Sequence, residues 1–509
     1  MMEKILEVKA FCKKKVWEKL ENQVDGIKDY LQAASAKGSA AHEVEENIWR
    51  MVLAMGYQAL GWFLAQQGAG DVGATMVLEN NQEVKKLEQQ KQRTYRSIFG
   101  TYELSRYVYG SREGQKIEFV PLDTRLKLPA GEYSYVLQEW SQMLAVESPY
   151  KKVSEVLEKI LALNIPVDSL ERINREMSEA VGPYRDDKPI PPKAEEGELL
   201  VSGGDGKGVP IRHARDKARI YDHRRQTGPK PDRKRMAIVG TAYSVNRYIR
   251  TPENVVEALF RKPDAAPATK PDRPRPQHKQ VFAQLTQQHG RVEVKATAVV
   301  FNWMNQQLTQ RDADNTKAHI VLMDGQPSLW EAAKEHFPGD RIEILDLLHA
   351  TPRLWDAAAI FQHDDTAKLA FIYQRILRIL RGEVSLVIRG LRQMATKGAI
   401  SAAKRKELEK ICGYLAKNKH RMQYDQYLAA GYPIASGVLE GACRHFVKDR
   451  MERAGMRWTI DGAQSMLDLR STYLNGDWED FVKYRIKREA GRLYPYAQII
   501  DDVPWPIPA

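Results

Sequence analysis

The chain has 509 residues, 43% hydrophobic and 28% charged, an ordinary balance for a soluble globular protein and enough length for two to four domains. A formal net charge of +12 points to a polyanionic partner, although charge alone does not separate nucleic acid from an anionic membrane surface. Three scattered cysteines, Cys12, Cys412 and Cys443, exclude a disulfide framework and a zinc ribbon and suit a reducing compartment.

Met1 to Lys15 is charged rather than signal-like, and the most apolar helical run, Ile48 to Leu64, is broken by Arg50, Gln58 and glycines. No membrane span is expected, and the expected location is the cytoplasm, on the nucleoid. Residues 1–92 read as a helical region, with Val44, Ile48, Val52, Met55, Leu60 and Phe63 at helical spacing. Residues 93–182 open with a run rich in Tyr, Ile, Phe, Val and Thr, Arg93 to Tyr109, that predicts a small β-hairpin or sheet. Three helices follow: Glu132 to Leu144, Lys151 to Ala162, and a third from an Asp168 or Ser169 cap to about Val181. They suit either a helix-turn-helix-like DNA-binding unit or a plain helical bundle.

Residues 183–197, with Pro183, Pro189, Pro191 and Pro192, read as a linker. Leu199 to Gly208 then climbs from apolar residues to Gly203-Gly204-Asp205-Gly206, predicting a β-hairpin with Asp205 at the end of its first strand. Taken alone, the stretch is better read as a plain Asp-Gly turn. The segment Arg212 to Arg235 is strongly basic and suits a path for phosphates, with Arg212, Arg215, Arg224, Arg225, Lys234 and Arg235 as DNA contacts. Met236 to Val245 reads as a buried strand, Pro252 to Phe260 as a short helix, and Pro263 to Pro276 as an irregular insertion. Helical patterns fill most of Lys279 to Gln310.

Ala318 to Asp324 reads as a central strand ending on a second Asp-Gly, and Arg341 to Asp346 as another strand before a helix opened by Leu347-Leu348-His349. This alternation predicts an α/β catalytic core from residues 198–354 and 432–475. Residues 355–431 lack strand signals and read as an all-helical insertion, and 476–509 as a C-terminal tail. In the later core segment, Ser436 can cap a helix that carries Glu440 in its first turn. Arg444 and Lys448 follow at i+4 steps with Arg450 beside them, a basic edge for DNA.

Two aspartates at strand ends and a glutamate on a later helix form a set of hard oxygen ligands suited to two Mg²⁺ ions, for which Mn²⁺ can substitute. Such a pair serves in-line phosphoryl displacement. Asp205, Asp324 and Glu440 are therefore the candidate metal ligands and catalytic residues.

The motifs G-G-D-G-K-G, V-L-M-D-G-Q-P-S-L-W, I-L-D-L-L-H and G-V-L-E-G-A-C-R-H-F-V-K-D-R-M-E-R-A-G-M-R-W resemble those of bacterial insertion-sequence DDE transposases of the ISKra type. The resemblance runs from about Thr94 to the C-terminus and includes the P-L-D element at Pro121 to Asp123. It implies an RNase H-like core with Asp205, Asp324 and Glu440 as the metal triad. Asp346 and His349 match a D-x-x-H element, which implies His349 as a catalytic contact to the scissile phosphate, with Asp346 orienting its ring. A helix-start residue is the plainer role for that histidine. Relatives carry paired cysteines in the N-terminal sheet; this chain has none there, so no zinc is expected. The implied activity is metal-dependent cleavage at terminal inverted repeats and transfer of 3′-OH ends into target DNA. The implied partners are double-stranded DNA and a second copy of the chain, or more. Two other readings remain open: a transposase-derived DNA-binding protein without catalysis, and a structure-specific nuclease.

Overall fold

A computed structural model describes residues 6–7, 13–111, 117–212, 234–260, 273–337, 339–398, 400–453, 455–501 and 505. The chain divides into two compact units: Met1–Ala180 with Trp478–Ala509, and Val181–Asp477. Among the described residues no helix is long and apolar enough to cross a membrane.

In the first unit, two long helices, Lys13–Lys37 and Ala41–Gln66, lie against each other. The expected hairpin is present as Lys91–Ser97 paired antiparallel with Gly100–Arg106, its aromatic residues Tyr95 and Tyr102 in register. Tyr102 and Leu104 are buried. The P-L-D element has a structural task here. Pro121 opens a short helix, and the buried Asp123 carboxylate accepts from Arg93 at 2.6 Å and from Arg106. The three predicted helices are Tyr135–Ala145, Tyr150–Leu161 and Val167–Ser178. The third starts earlier than expected, because Pro166 occupies the cap position and Asp168 and Ser169 fall inside the first turn. Residues 476–509, expected as a tail, supply the helix Trp478–Leu493. Its Trp478, Phe481, Val482 and Arg485 recur at helical spacing and are buried, and Arg485 Nη2 donates to Gln138 Oε1 at 2.7 Å.

The second unit is a mixed α/β layer structure on a five-stranded sheet. Its strands, numbered within the sheet, are β1 (Leu199–Pro210), β2 (Lys234–Val245), β3 (Gln277–Leu285), β4 (Ala318–Met323) and β5 (Ile342–Leu345). Their spatial order is β5-β4-β1-β2-β3, with β1, β2 and β3 an antiparallel meander and β4 parallel to both β1 and β5. Alternation along the strands sorts the side chains onto two faces. Leu199 and Val201 of β1, with Ile320 and Leu322 of β4, belong to one cluster. Leu200, Val321 and Met323 belong to the other.

The second face is covered by helices Ala296–Arg311 and Pro327–His336. The first is covered by Leu347–Phe361 and by the strand-free stretch expected as a helical insertion. That stretch contains helices Asp365–Leu380, Val384–Lys397, Ala402–Asn418 and Tyr424–Ala429. Phe371, Ile376, Leu391 and Leu415 of these helices are in one cluster with the sheet residues, so the stretch shares the sheet's core.

Three expectations need correction. Asp205 does not end a strand: β1 runs on through Gly206, Lys207 and Gly208, paired with Ile238, Ala237 and Met236. Lys279 to Gln310 is not mainly helical, because Gln277–Leu285 is the edge strand of the sheet and the helix begins only at Ala296. The proline-rich linker is partly ordered structure, with helix Val181–Asp187 and the Glu196 carboxylate held by Arg311 at 2.6 and 2.7 Å.

Candidate active site

The site starts from a register. β4 pairs with β1 from Ala318 opposite Leu199 to Val321 opposite Ser202. Carried three residues past the last pair, this register sets Asp324 level with Asp205. β4 also pairs with β5, Met323 opposite Leu345, and the Asp346 amide donates to the Met323 carbonyl at 2.8 Å. Asp346 is thus level with Asp324. Three acids fall in one row, Asp205 within β1 and Asp324 and Asp346 on the residues just after β4 and β5, across neighbouring parallel strands whose spacing is about 4.8 Å. By alternation, Asp205 follows Leu199 and Val201, and Asp324 follows Ile320 and Leu322, so both lie on the face covered by the helical stretch. Electrostatics agrees with this placement. The Asp324 carboxyl is pushed above its ordinary range, first by burial and then by the charges of Asp205 and Asp346, while His349 pulls it the other way.

Glu440 comes from a different direction. Its helix, Gly437–Ala442, packs across β1 at Gly203, where a β-carbon would lie 3.3 Å from Leu439 Cδ2 and would collide with the Leu322 carbonyl. Glycine is required at that crossing because backbone and side chain close on it from two sides. Cys443, one turn beyond Glu440, is buried within electrostatic reach of Asp205. Burial, then the charge of Asp205, raises that thiol, and Glu440 adds to the effect. Glu440 itself is exposed.

Asp346 does not orient His349. Its Oδ1 accepts from the Leu348 amide at 2.8 Å as the cap of helix Leu347–Phe361. Its Oδ2 accepts from the Ser436 amide at 3.0 Å and from Ser436 Oγ at 2.6 Å. Ser436, expected to cap the Glu440 helix with its side chain, spends its hydroxyl on this bond instead. The pair ties the end of β5 to the residue that opens the Glu440 helix. His349 is partly exposed and within electrostatic reach of Asp324, and among the described residues only its backbone amide is bonded to Asp346, at the carbonyl.

The expected single helix after Ser436 changes its winding. Cys443–Lys448 is a π-helix, whose i→i+5 bonding misaligns the i+4 steps counted from Glu440. The buried Arg470 supports it by donating to the carbonyls of Phe446, at 2.8 Å, and His445. Arg444 and Lys448 remain exposed. Arg450 does not: it is 1% exposed, with its guanidinium 4.9 Å from the Trp458 ring and Nη1 3.5 Å from Met456 Sδ. It packs the turn beneath the π-helix and is withdrawn from any DNA-facing surface. Arg212 and Arg235 are exposed, and Lys234 is ion-paired with Glu452. The Arg212 amide donates to the Trp458 carbonyl at 2.7 Å, which brings the open end of β1 and β2 to the residues following the π-helix. Arg215, Arg224 and Arg225 lie outside the described residues.

Sequence reasoning missed two neighbours. Tyr414, on helix Ala402–Asn418, reaches the loop after β4, where a β-carbon on Gly325 would strike its ring. Its hydroxyl is raised to about 12 by burial and by the charge of Asp324, and Arg353 lies 5.2 Å from its ring. No local pattern marks that tyrosine. Lys207 Nζ stands 3.5 Å from Asp205 Oδ2, two residues along the same strand face. The i, i+2 spacing of a strand would have found it.

The donor set is chemically suited to magnesium: carboxylate oxygens, two of them mutually repelling, which a divalent cation would relieve. Among the described residues no three of His, Cys, Asp and Glu are drawn into a formed metal cluster.

Fold and site together define a mixed α/β protein that gathers acids at one end of its sheet under a helical cover. No protein-family model matches the chain, and no curated protein matches it. Among solved structures it is similar to the Drosophila P element transposase strand transfer complex, with 10% identity and a TM-score of 0.23 over 73% of this chain and 82% of that one. At that score the likeness assigns neither fold nor chemistry.

Proposed function

We propose that this chain is a DDE-type transposase of an insertion sequence, cleaving DNA at terminal inverted repeats and transferring the 3′-OH ends into target DNA. The observation that carries the reading is the row of Asp205, within β1, and Asp324, the residue just after the adjacent parallel strand β4, with the Glu440 helix packed across β1 at Gly203. The meander β1 to β3 followed by two parallel strands supports the RNase H-like part of the reading. Asp205, Asp324 and Glu440 would hold Mg²⁺ or Mn²⁺; when bound, a pair of such ions stabilises the attacking and leaving oxygens of an in-line displacement.

The chain's own residues do the rest. The Asp324 carboxyl is held above its ordinary range by burial and by the charges of Asp205 and Asp346, and a bound cation would favour its charged form. His349, beside Asp324, donates a hydrogen bond to the scissile phosphate. Arg212, Arg235, Arg444 and Lys448 hold flanking phosphates and bring no base specificity. The Asp346–Ser436 tether fixes where Glu440 enters. The working form on DNA is a homodimer or larger assembly.

The test is Asp205→Asn. It should abolish Mg²⁺-dependent cleavage of DNA carrying the element's ends and leave DNA affinity within about twofold, since affinity rests on the basic residues. Cleavage at the normal rate by this variant would remove the reading.

A further inference from the structure

A groove of about 440 Å³ that the catalytic reading does not use opens against the start of the Glu440 helix. One wall is Gly437 and Val438, the first turn of the helix that carries Glu440. The opposite walls bring Arg250, Arg273 and Arg275 together with Tyr243 and Tyr248, and among the described residues no aspartate or glutamate lines it. Among the described residues none of the three arginines makes an ion pair. Arg250 is half-buried, its guanidinium 5.3 Å from the Tyr248 ring, with Nη2 donating to the Tyr432 carbonyl at 3.0 Å. Its Nε is buried with no partner among the described residues. Burial and the neighbouring charge of Arg273 both weaken the hold of Arg250 on its proton. Like charges collected without a counter-charge among the described residues are what a bound anion would relieve, and a buried N–H with no acceptor among them marks where one would sit.

We infer that this groove holds a nucleotide of the DNA strand running past the scissile phosphate, its phosphates on Arg250, Arg273 and Arg275 and its base against Tyr248. The volume suits one nucleotide unit, and planar guanidinium groups beside a tyrosine ring are the chemistry of strand-tracking sites. Gly437 and Val438 in its wall stand three and two residues before Glu440, so a strand lying in the groove is on the approach to that acid. This deepens the transposase reading and rests on it for the identity of the strand.

The test is separate from cleavage and is run in EDTA. The probe is a 12-nucleotide oligothymidylate bearing one 5-iododeoxyuridine, photocrosslinked to the full chain. The adduct should map to Tyr248. Arg273→Gln/Arg275→Gln, at two exposed positions, should weaken oligonucleotide binding on the order of tenfold. It should also shallow the log–log salt dependence by about 1.4 units, or about 0.7 for each lost single-strand phosphate contact. R250K, which keeps the charge and loses the planar fork, should reduce the crosslink yield with an unchanged melting curve. Unchanged affinity and salt slope in the double variant, or adducts mapping only elsewhere, would overturn the inference. So would equal displacement of the probe by thymidine monophosphate or inorganic phosphate, which would make this an isolated anion pocket. If Asp205→Asn still cleaves while these results hold, the groove stands as a strand site and only the assigned chemistry falls.

Discussion

Replacing Asp346 by alanine removes three acceptor contacts from one buried carboxylate. The side chain is 1% exposed and accepts from the Leu348 amide and from both the amide and hydroxyl of Ser436, at 2.6 to 3.0 Å. Loss of a helix cap costs about 1 kcal/mol. Each hydrogen bond to a charged group contributes about 1.5–3 kcal/mol, and Ser436, itself 4% exposed, would be left with two stranded groups. The expected loss is about 4 kcal/mol for Asp346→Ala and about 2 kcal/mol for Ser436→Ala, which removes one of the three contacts. The double variant should cost less than the sum by about 1.5–3 kcal/mol, because the shared bond is lost only once. Urea unfolding followed by tryptophan fluorescence measures all four corners of the cycle. Hydrogen exchange should quicken across Gly437–Ala442 in Asp346→Ala, since the Glu440 amide is protected there by its 3.0 Å bond to the Ser436 carbonyl. Additivity within about 0.5 kcal/mol, with exchange unchanged in that helix, would refute the tether.

His349→Ala should slow strand cleavage on the order of 10²-fold, the scale of losing one preorganised donor, with melting unchanged; normal cleavage with earlier melting would assign the histidine to the fold. Gly203→Ala should lower stability by about 1–3 kcal/mol, because the added methyl meets the Leu322 carbonyl oxygen. Gly437→Ala, with open space at that position, should stay within about 0.5 kcal/mol, and urea midpoints distinguish the two. Burial raises the Asp468 carboxyl to about 6, so its charged form opposes folding. The native state therefore binds the extra proton, and wild-type stability should fall as pH rises from the ordinary carboxylate range through about 6. Asp468→Asn should flatten that fall, and melting temperatures across the range check the sign.

The strands at Met236 to Val245, Ala318 to Met323 and Arg341 to Leu345 were legible locally, because apolar runs bounded by glycine, proline and charge have few other outcomes. The strand-free stretch after Trp355 was legible for the same reason, and so was the hairpin within Arg93 to Tyr109. The residue types of the site could be named in advance: acids after β4 and β5, an acid among glycines, and a glutamate in a helix's first turn.

Their arrangement could not. Whether Asp205 stands level with Asp324 depends on pairing between residues more than a hundred positions apart, and a one-residue slip would send the carboxylates to opposite faces. The continuation of β1 through Gly206 to Pro210 required β2 as a partner, since glycine-rich sequence favours a turn until a ladder holds it straight. The assignment of Gln277–Leu285 to an edge strand, the burial of Arg450 under Trp458 and the approach of Tyr414 were likewise settled by non-local packing. A sequence pattern records which side of an element is apolar. Which element covers that side, and in what register, is decided by contacts that form only when the distant segments close on one another.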